Sequence, residues 1–588
     1  MSRLLLVTLA LALVAGCATQ ATVPETQPDP APTPGSEEPA TAQVEVPERR
    51  IPDDSVFSLL LAEFALRRRH FDVALEQYEE QAPLLRDPGV SAHTTRLAQY
   101  LQDDESALAA AQLWVELDSG NVDANNIAAN YLARAGKPND ALPYLVNVER
   151  LKPGANFPIL IASFAQLTPP EQRKLAASLE ELETEFPDSV NLALAHALLF
   201  AEQGERDRAL AKLDTVLKRN PTQQQALLLE AKLLREAGSD APYARVEQAL
   251  AENPDDKLLR MRFARLLTAY DMTAARKQFE ILSAQSPGDA DLLFSLALIN
   301  REIGDHLAAN AYLRQVIGLD ERVDEAYYYL GRIAEEREQI DAAIEHYGQV
   351  EDSREFMSAT SRAAHILVED GQFARAGEWF NAQRSRVPER REQLYGLEAD
   401  ILSNAGANDA ALALLDRAIA ETPDAASLRY SRSMLFEQAN DLEAMERELR
   451  VILEQDPDNA TALNALGYTL ANRTTRYAEA RELIEQALAL QPNEPAILDS
   501  MGWVLFRTGH YEEALEYLTR AYAEFPDPEV AAHLGEVMWV SGNEAGARRV
   551  WQGAALRDPE HRVLRETLER LGVDLSAGDA DLPPGAQP

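Results

Sequence analysis

Cys17 is the only cysteine in a chain of 588 residues, so no disulfide can form within it and any thiol chemistry belongs to that one position. The nine histidines, at 70, 93, 196, 306, 346, 365, 510, 533 and 561, are scattered, with no HExxH spacing and no cluster with cysteine. No glycine-rich phosphate loop and no GxSxG elbow occurs. Neighbouring carboxylates such as Glu335 and Glu336 are abundant, but in an acidic helical chain they read as a solvated face. The expectation is therefore no catalytic residue, no metal site and no cofactor: not an enzyme. The position that retains a chemical task is Cys17, where a covalent modification would need a nucleophilic thiol.

Its setting says which modification. Met1, Ser2 and Arg3 give a short basic start, and Leu4 to Ala15 is apolar apart from Thr8, the pattern of a secretory leader. A bilayer needs about 20 apolar helical residues to be spanned, so this run is too short to stay as an anchor. Val14, Ala15, Gly16 and Cys17 resemble the bacterial lipobox. That resemblance implies that residues 1–16 are removed as a signal peptide and that Cys17 carries a diacylglyceryl group. Two acyl chains suffice for stable attachment, at about 0.8 kcal/mol per buried CH₂. Ala18 stands where an Asp would resemble an inner-membrane retention signal, which implies the outer membrane, facing the periplasm. From 17 to 52 the chain reads as a disordered tether: prolines at 24, 28, 30, 32, 34, 39, 47 and 52 favour an extended spacer.

From residue 53 the composition turns to Ala, Leu, Glu and Arg at helical spacing, and it repeats. Prolines fall at 153, 187, 221, 254 and 287, then at 388, 423, 457, 492, 526 and 559, a period of 34 with deviations of one. The gap from 287 to 388 holds three periods, with turns near Asp320 and Arg354. Eight residues before every one of these prolines the residue is apolar: Leu145, Leu179, Leu213, Val246, Phe279, Phe380, Leu415, Leu449, Ile484, Leu518 and Trp551. Twelve before, Ala occupies eight of the eleven positions, among them Ala141, Ala480, Ala514 and Ala547. A small residue where two helices cross, a large one a turn later and a proline after the second helix describe a helical hairpin, with glycines such as Gly509 at the turn.

The pattern resembles the tetratricopeptide repeat, most fully in "PAILDSMGWVLFRTGHYEEALEYLTRAYAEFP", where the small and large positions fall on Gly502, Leu505, Tyr511, Ala514, Leu518, Ala521 and Pro526. Pro242 and Leu175 interrupt the alanine position and mark two divergent repeats. The expected fold is an all-α solenoid of roughly fifteen hairpins in a right-handed superhelix, covering 53–572 with a cap helix at its end, followed by a disordered tail, 573–588.

The formal charge of −40 disfavours nucleic acid and anionic headgroups and favours partners with basic patches, although the excess of Arg over Lys, 48 to 8, also fits a solubility or habitat bias. By resemblance the first helix of each pair lines the concave face. That rule places Tyr328, Arg332, Tyr430, Met434, Tyr468, Trp503, Phe506 and Trp539 there as partner-binding candidates, either open to a groove or packed on the adjoining repeat. The Lys and Asn set that holds a peptide carboxylate in chaperone-binding members is replaced by Asp499, Ser500 and Trp503.

The segments "LNALGYTLANRTTRYAEARELI" and "EVAAHLGEVMWVSGN" further resemble the tetratricopeptide outer-membrane lipoproteins that serve as adaptor for a periplasmic carboxyl-terminal processing protease. This resemblance implies a non-catalytic, lipid-anchored scaffold that binds the protease and its protein substrates, cell-wall hydrolases, and promotes proteolysis. The alternative is a scaffold for assembly of an envelope machine such as a pilus, a secretion system or a polysaccharide exporter.

Overall fold

The computed structural model describes residues 51–575. Cys17, the expected leader 1–16, the tether through residue 50 and the tail beyond residue 575 lie outside the described residues. The described residues form two compact units that divide between Ala209 and Leu210. Among the described residues there are thirty α-helices, three short 3-10 helices and no strand, so the all-α solenoid expected from the period is what forms.

In the first unit three hairpins pair Asp53–Arg67 with Phe71–Leu85, Pro88–Leu101 with Asp104–Leu117, and Val122–Arg134 with Pro138–Leu151. The fourth repeat, one of the two divergent ones, has lost its first helix: two 3-10 turns, Phe157–Ile161 and Phe164–Gln166, precede the helix Pro169–Glu185. Pro153, Gly154 and Pro158 disfavour a continuous α-helix there, yet Phe157, Leu160, Ile161 and Phe164 still fill the core. The carboxylate of Glu149 accepts the backbone N–H groups of Gly154 and Ala155, each at 2.7 Å, and holds this turn. Val190–Glu202 and Arg206–Arg219 follow in sequence as the fifth repeat, and the boundary between the units falls within the latter helix.

The second unit continues with ten hairpins from Gln224–Glu236 to Glu544–Arg557 and closes on Arg562–Leu571, giving fifteen two-element repeats in all. The other divergent repeat has a second helix of only nine residues, Ala244–Glu252, which starts just after Pro242, a residue that disfavours carrying the helix back through the preceding turn. In the interval from Pro287 to Pro388, the two turns without proline fall between the helices His306–Gly318 and Val323–Glu336 and between Ile340–Gly348 and Phe356–Glu369. Several first helices start where an Asp or Asn side chain takes an orphan N–H. Asn459 accepts from Ala462 at 3.0 Å and Asp289 from Leu292 at 3.0 Å, a cap worth about 1 kcal/mol each.

The core follows the periodic positions. All eleven apolar residues eight before the prolines are buried, and so are the eight alanines four residues earlier. Within each complete repeat the second helix drives its large residue against a glycine or small residue of the first. A Cβ placed on Gly502 would stand 2.5 Å from Leu518 Cγ, and one on Gly467 would stand 2.6 Å from Ile484 Cγ1. Gly535 faces the Trp551 indole and Gly331 the Tyr347 ring in the same way. At the hairpin turn Gly509 has φ +87, the left-handed conformation a helix end requires.

At the end of the chain, Leu564 is buried while Arg562, Arg565, Glu566 and Glu569 face solvent, and Val573 and Leu575 pack on the same terminal cluster. The chain therefore remains packed for three residues past the expected end of the solenoid.

Alanine at position 502 gains helix propensity but forces Leu518 from its seat, a cost of about 1–3 kcal/mol for overpacking. Gly502→Ala should therefore destabilise the repeat 495–524, read as faster hydrogen exchange there. Combining it with Leu518→Ala should cost less than the sum of the two single changes, since the clashing atoms are removed in the double variant.

Candidate functional site

None of the eight candidate side chains stands free. Tyr328, on Val323–Glu336, is half-buried, its ring 5.4 Å from Tyr329 and 6.0 Å from Tyr347. Arg332, one turn on, is half-buried with Nη2 3.7 Å from the Glu336 carboxylate, and its Nε–H is buried without a partner. Tyr430 and Met434, on Ala426–Gln438, lean on the large C-terminal core cluster, as do Tyr468 and Phe506. Trp539 lies 5.8 Å from Trp551 with the Arg548 guanidinium over its ring at 5.4 Å. Trp503 is only 6% exposed, so its ring is part of the packed interior rather than a free wall of a groove.

Three of these residues, Tyr468, Trp503 and Phe506, are brought together with His533 by the first helices of three successive repeats, Ala460–Arg473, Pro495–Arg507 and Pro528–Val540. Trp503 stacks on His533 with ring centroids 4.1 Å apart and a tilt of 27°, and touches Phe506 at 5.3 Å. His533 Nδ1 is 2.9 Å and 3.0 Å from the two carboxylate oxygens of Asp499. Its Nε2 is 3.5 Å from the Tyr468 hydroxyl, which donates to Glu529 at 2.7 Å. Asp499 and His533 are both buried. Burial works against the imidazolium, but the charge and hydrogen bond of Asp499, with the carboxylates of Glu529 and Glu536, hold His533 above its ordinary value. Burial, then the charges of Glu529 and Asp499, push the Tyr468 phenol up. Glu536 is itself paired with Arg570 of the last helix at 2.5 Å and 2.7 Å. Sequence reading missed His533, Asp499 and Glu529 as a group, although Asp499 and His533 stand one period, 34 residues, apart and therefore side by side on adjacent first helices.

A second surface was also missed. The helix Asp53–Arg67 buries Ala62 and Ala65 and turns Phe57, Leu60 and Phe64 outward, 74%, 53% and 58% exposed. Val56 and Leu61 flank them, also exposed, and the exposed Arg67, Arg68 and Arg69 follow directly. The spacing 57, 60, 61, 64 puts one apolar stripe on one face of the helix, and an exposed stripe of large apolar residues marks an interaction surface. The signal was present in "SVFSLLLAEFALRRRH", but a run apolar on both faces does not reveal which face the fold leaves open.

Among the described residues no group of three or more His, Cys, Asp or Glu side chains is placed to hold a metal ion. No helix among them is long and apolar enough to cross a membrane. What the surfaces offer is apolar and charged recognition.

Removing one partner of a buried ion pair costs about 3–5 kcal/mol. Asp499→Ala should accordingly loosen residues 495–540 by about 3 kcal/mol, measured by hydrogen exchange. Because the folded value of His533 lies above the unfolded one, its contribution is complete below about pH 6.5 and fades as pH rises through the raised value. The stability gap between wild type and His533→Gln should therefore narrow on the alkaline side.

Models of the family described as tetratricopeptide repeat match residues 458–523 and, separately, 194–242, 265–322, 301–357, 397–445 and 500–561. The TPR repeat-containing protein PA4667 of Pseudomonas aeruginosa is 39% identical over 546 residues, 92% of each chain. Among solved structures, the thermophilic tetratricopeptide protein TTC0263 of Thermus thermophilus is 20% identical, with a TM-score of 0.28, over 31% of this chain and 100% of that one. Yeast Tom70 is 14% identical, with a TM-score of 0.27, over 88% and 95%. The period, the small-to-large seats between paired helices, the family matches and the Pseudomonas relative lead to one conclusion: the chain belongs to the tetratricopeptide-repeat family, whose repeats serve as protein-interaction scaffolds.

Proposed function

We propose that this chain is a non-catalytic scaffold, held to the outer membrane through acylated Cys17, that docks a periplasmic processing protease and presents cell-wall hydrolases to it. The leader, the lipobox-like run ending at Cys17 and the proline-rich tether support anchoring at a distance from the lipid. Joining two bound proteins on one scaffold raises their mutual concentration to about the millimolar range without new chemistry.

The observation that carries the docking role is the open face of Asp53–Arg67. A repeat array needs a polar outer surface on its terminal repeats to stay soluble, and the Arg562–Leu571 end has one. The first helix instead shows Phe57, Leu60 and Phe64 to solvent. Three anchors at helical spacing fit the mode in which an amphipathic helix lies in an apolar groove. Arg67, Arg68 and Arg69 at the end of that stripe select a groove with an acidic rim, in a protein that is otherwise strongly acidic. The occupant is therefore a protein with such a groove, and the protease is the partner the family resemblance points to.

Phe57→Glu with Phe64→Glu should weaken co-elution with the processing protease by about tenfold or more, and slow cleavage of a cell-wall hydrolase to match, while helicity stays as in wild type. Undiminished binding and cleavage by that double variant would move the docking site elsewhere. If wild-type protein neither binds nor speeds the protease, and its deletion instead dismantles an envelope machine, the assembly reading replaces this one.

A further inference from the structure

Tyr468 and Glu529 are 61 residues apart, and their hydrogen bond joins the first helices of two repeats that are not neighbours in sequence. A repeat in an array ordinarily touches the repeats directly before and after it. The bond passes over the intervening repeat at the place where Trp503 lies buried, its indole N–H without an acceptor. Beneath it sits His533, the one side chain that touches Asp499, Trp503 and Tyr468 together.

We propose that Asp499, His533, Tyr468 and Glu529 form a proton-controlled latch that keeps the inner face of the last three repeats closed over Trp503 and opens it when His533 loses its proton to solvent.

The donors and acceptors explain why one proton decides the state. With imidazolium, Nδ1–H faces the Asp499 carboxylate, Nε2–H faces the Tyr468 oxygen, and the Tyr468 O–H remains free to donate to Glu529. The stacked indole adds the attraction of a ring face for a cation at 4.1 Å. A neutral ring keeps one N–H. If that proton stays on Nδ1, the Nε2 lone pair meets the Tyr468 oxygen; Tyr468 must then either turn its proton to the ring and abandon Glu529 or leave Nε2 unmet. If the proton moves to Nε2, the buried Asp499 carboxylate is left facing a lone pair. Each arrangement strands a buried polar group, and the charge that balanced Asp499 is gone in both.

The surrounding charges favour the closed state. On its own helix His533 has Glu529 and Glu536, the latter neutralised by Arg570 of the last helix. The helix Pro495–Arg507 supplies Asp499, and Glu437 of Ala426–Gln438 acts on Tyr468. The second helices Tyr511–Glu524 and Glu544–Arg557 pack Tyr522 and Trp551 near Ala531 and Ala532, and Arg548 stays on Trp539. His533 is held above its ordinary value, so the latch is shut below about pH 6.5 and releases as pH rises through the raised value. Once released, the Trp503 N–H becomes a donor for the backbone carbonyl of a bound segment.

The test is acrylamide quenching of tryptophan fluorescence in the full chain, with Trp503→Phe subtracted to isolate the one indole among five. In wild type the Trp503 signal should be protected at about pH 6 and become accessible on titration to the alkaline side, with unchanged helicity. Tyr468→Phe, which removes a single oxygen, should show Trp503 accessible already at the lower pH, and so should His533→Gln if it folds. A Trp503 signal that stays protected across the titration while helicity holds, or a Tyr468→Phe protein protected as fully as wild type, would overturn the latch.

Discussion

The seat that a first helix offers to the large side chain of its partner is the constraint on which the rest of the molecule depends. Where that seat is glycine, as at 331, 467, 502 and 535, even one added carbon would collide with Tyr347, Ile484, Leu518 or Trp551. Close approach of the two helices fixes how far each hairpin can stand from the next, and so fixes which residues of successive first helices come side by side. The alignment of Asp499 with His533, one period on, is a consequence of that spacing. Because a single hairpin cannot cover its own apolar face, each seat also transmits its stability to the neighbouring repeat.

This dependence explains what was legible in the sequence. The proline period and the apolar residue eight places before it located fifteen repeats, and both places where the pattern faltered carry a lost or shortened helix, as does Ile340–Gly348, whose following turn lacks the proline. Pro242 excluded a helix directly, so its effect could be read from one residue. The loss at Phe157–Gln166 was less direct, since Leu175 signalled a weak second helix while the change fell on the first. Propensity and breaker residues act locally, whereas the Glu149 carboxylate that stabilises that turn is supplied by the preceding repeat.

The candidate site was legible only by row. Family register placed Tyr468, Trp503 and Phe506 on the first helices of their repeats, and they lie on those helices, but it did not give the depth at which they are buried. Depth is set by contacts between first helices two repeats apart, as between Tyr468 and Glu529, and no pattern within a single repeat encodes those. Histidines that look scattered along the chain acquire meaning the same way: His533 is paired because a carboxylate occupies the matching position one repeat earlier.

The two ends of the described chain carry opposite solutions to the same problem. A terminal repeat has no neighbour to cover one of its faces, and Arg562–Leu571 answers by setting arginines and glutamates outward, with Val573 and Leu575 folded over the last cluster. At the other end Asp53–Arg67 leaves large apolar rings in water, which costs about 25 cal/mol for each Å² of apolar surface left exposed. A substitution of Phe57 or Phe64 by a charged residue would relieve that cost without touching the buried Ala62 and Ala65, so the fold itself gives no reason to retain the rings. A surface kept apolar against its own solvation is most simply one that is covered when the protein works, and it lies at the end of the described array nearest the expected tether and lipid attachment.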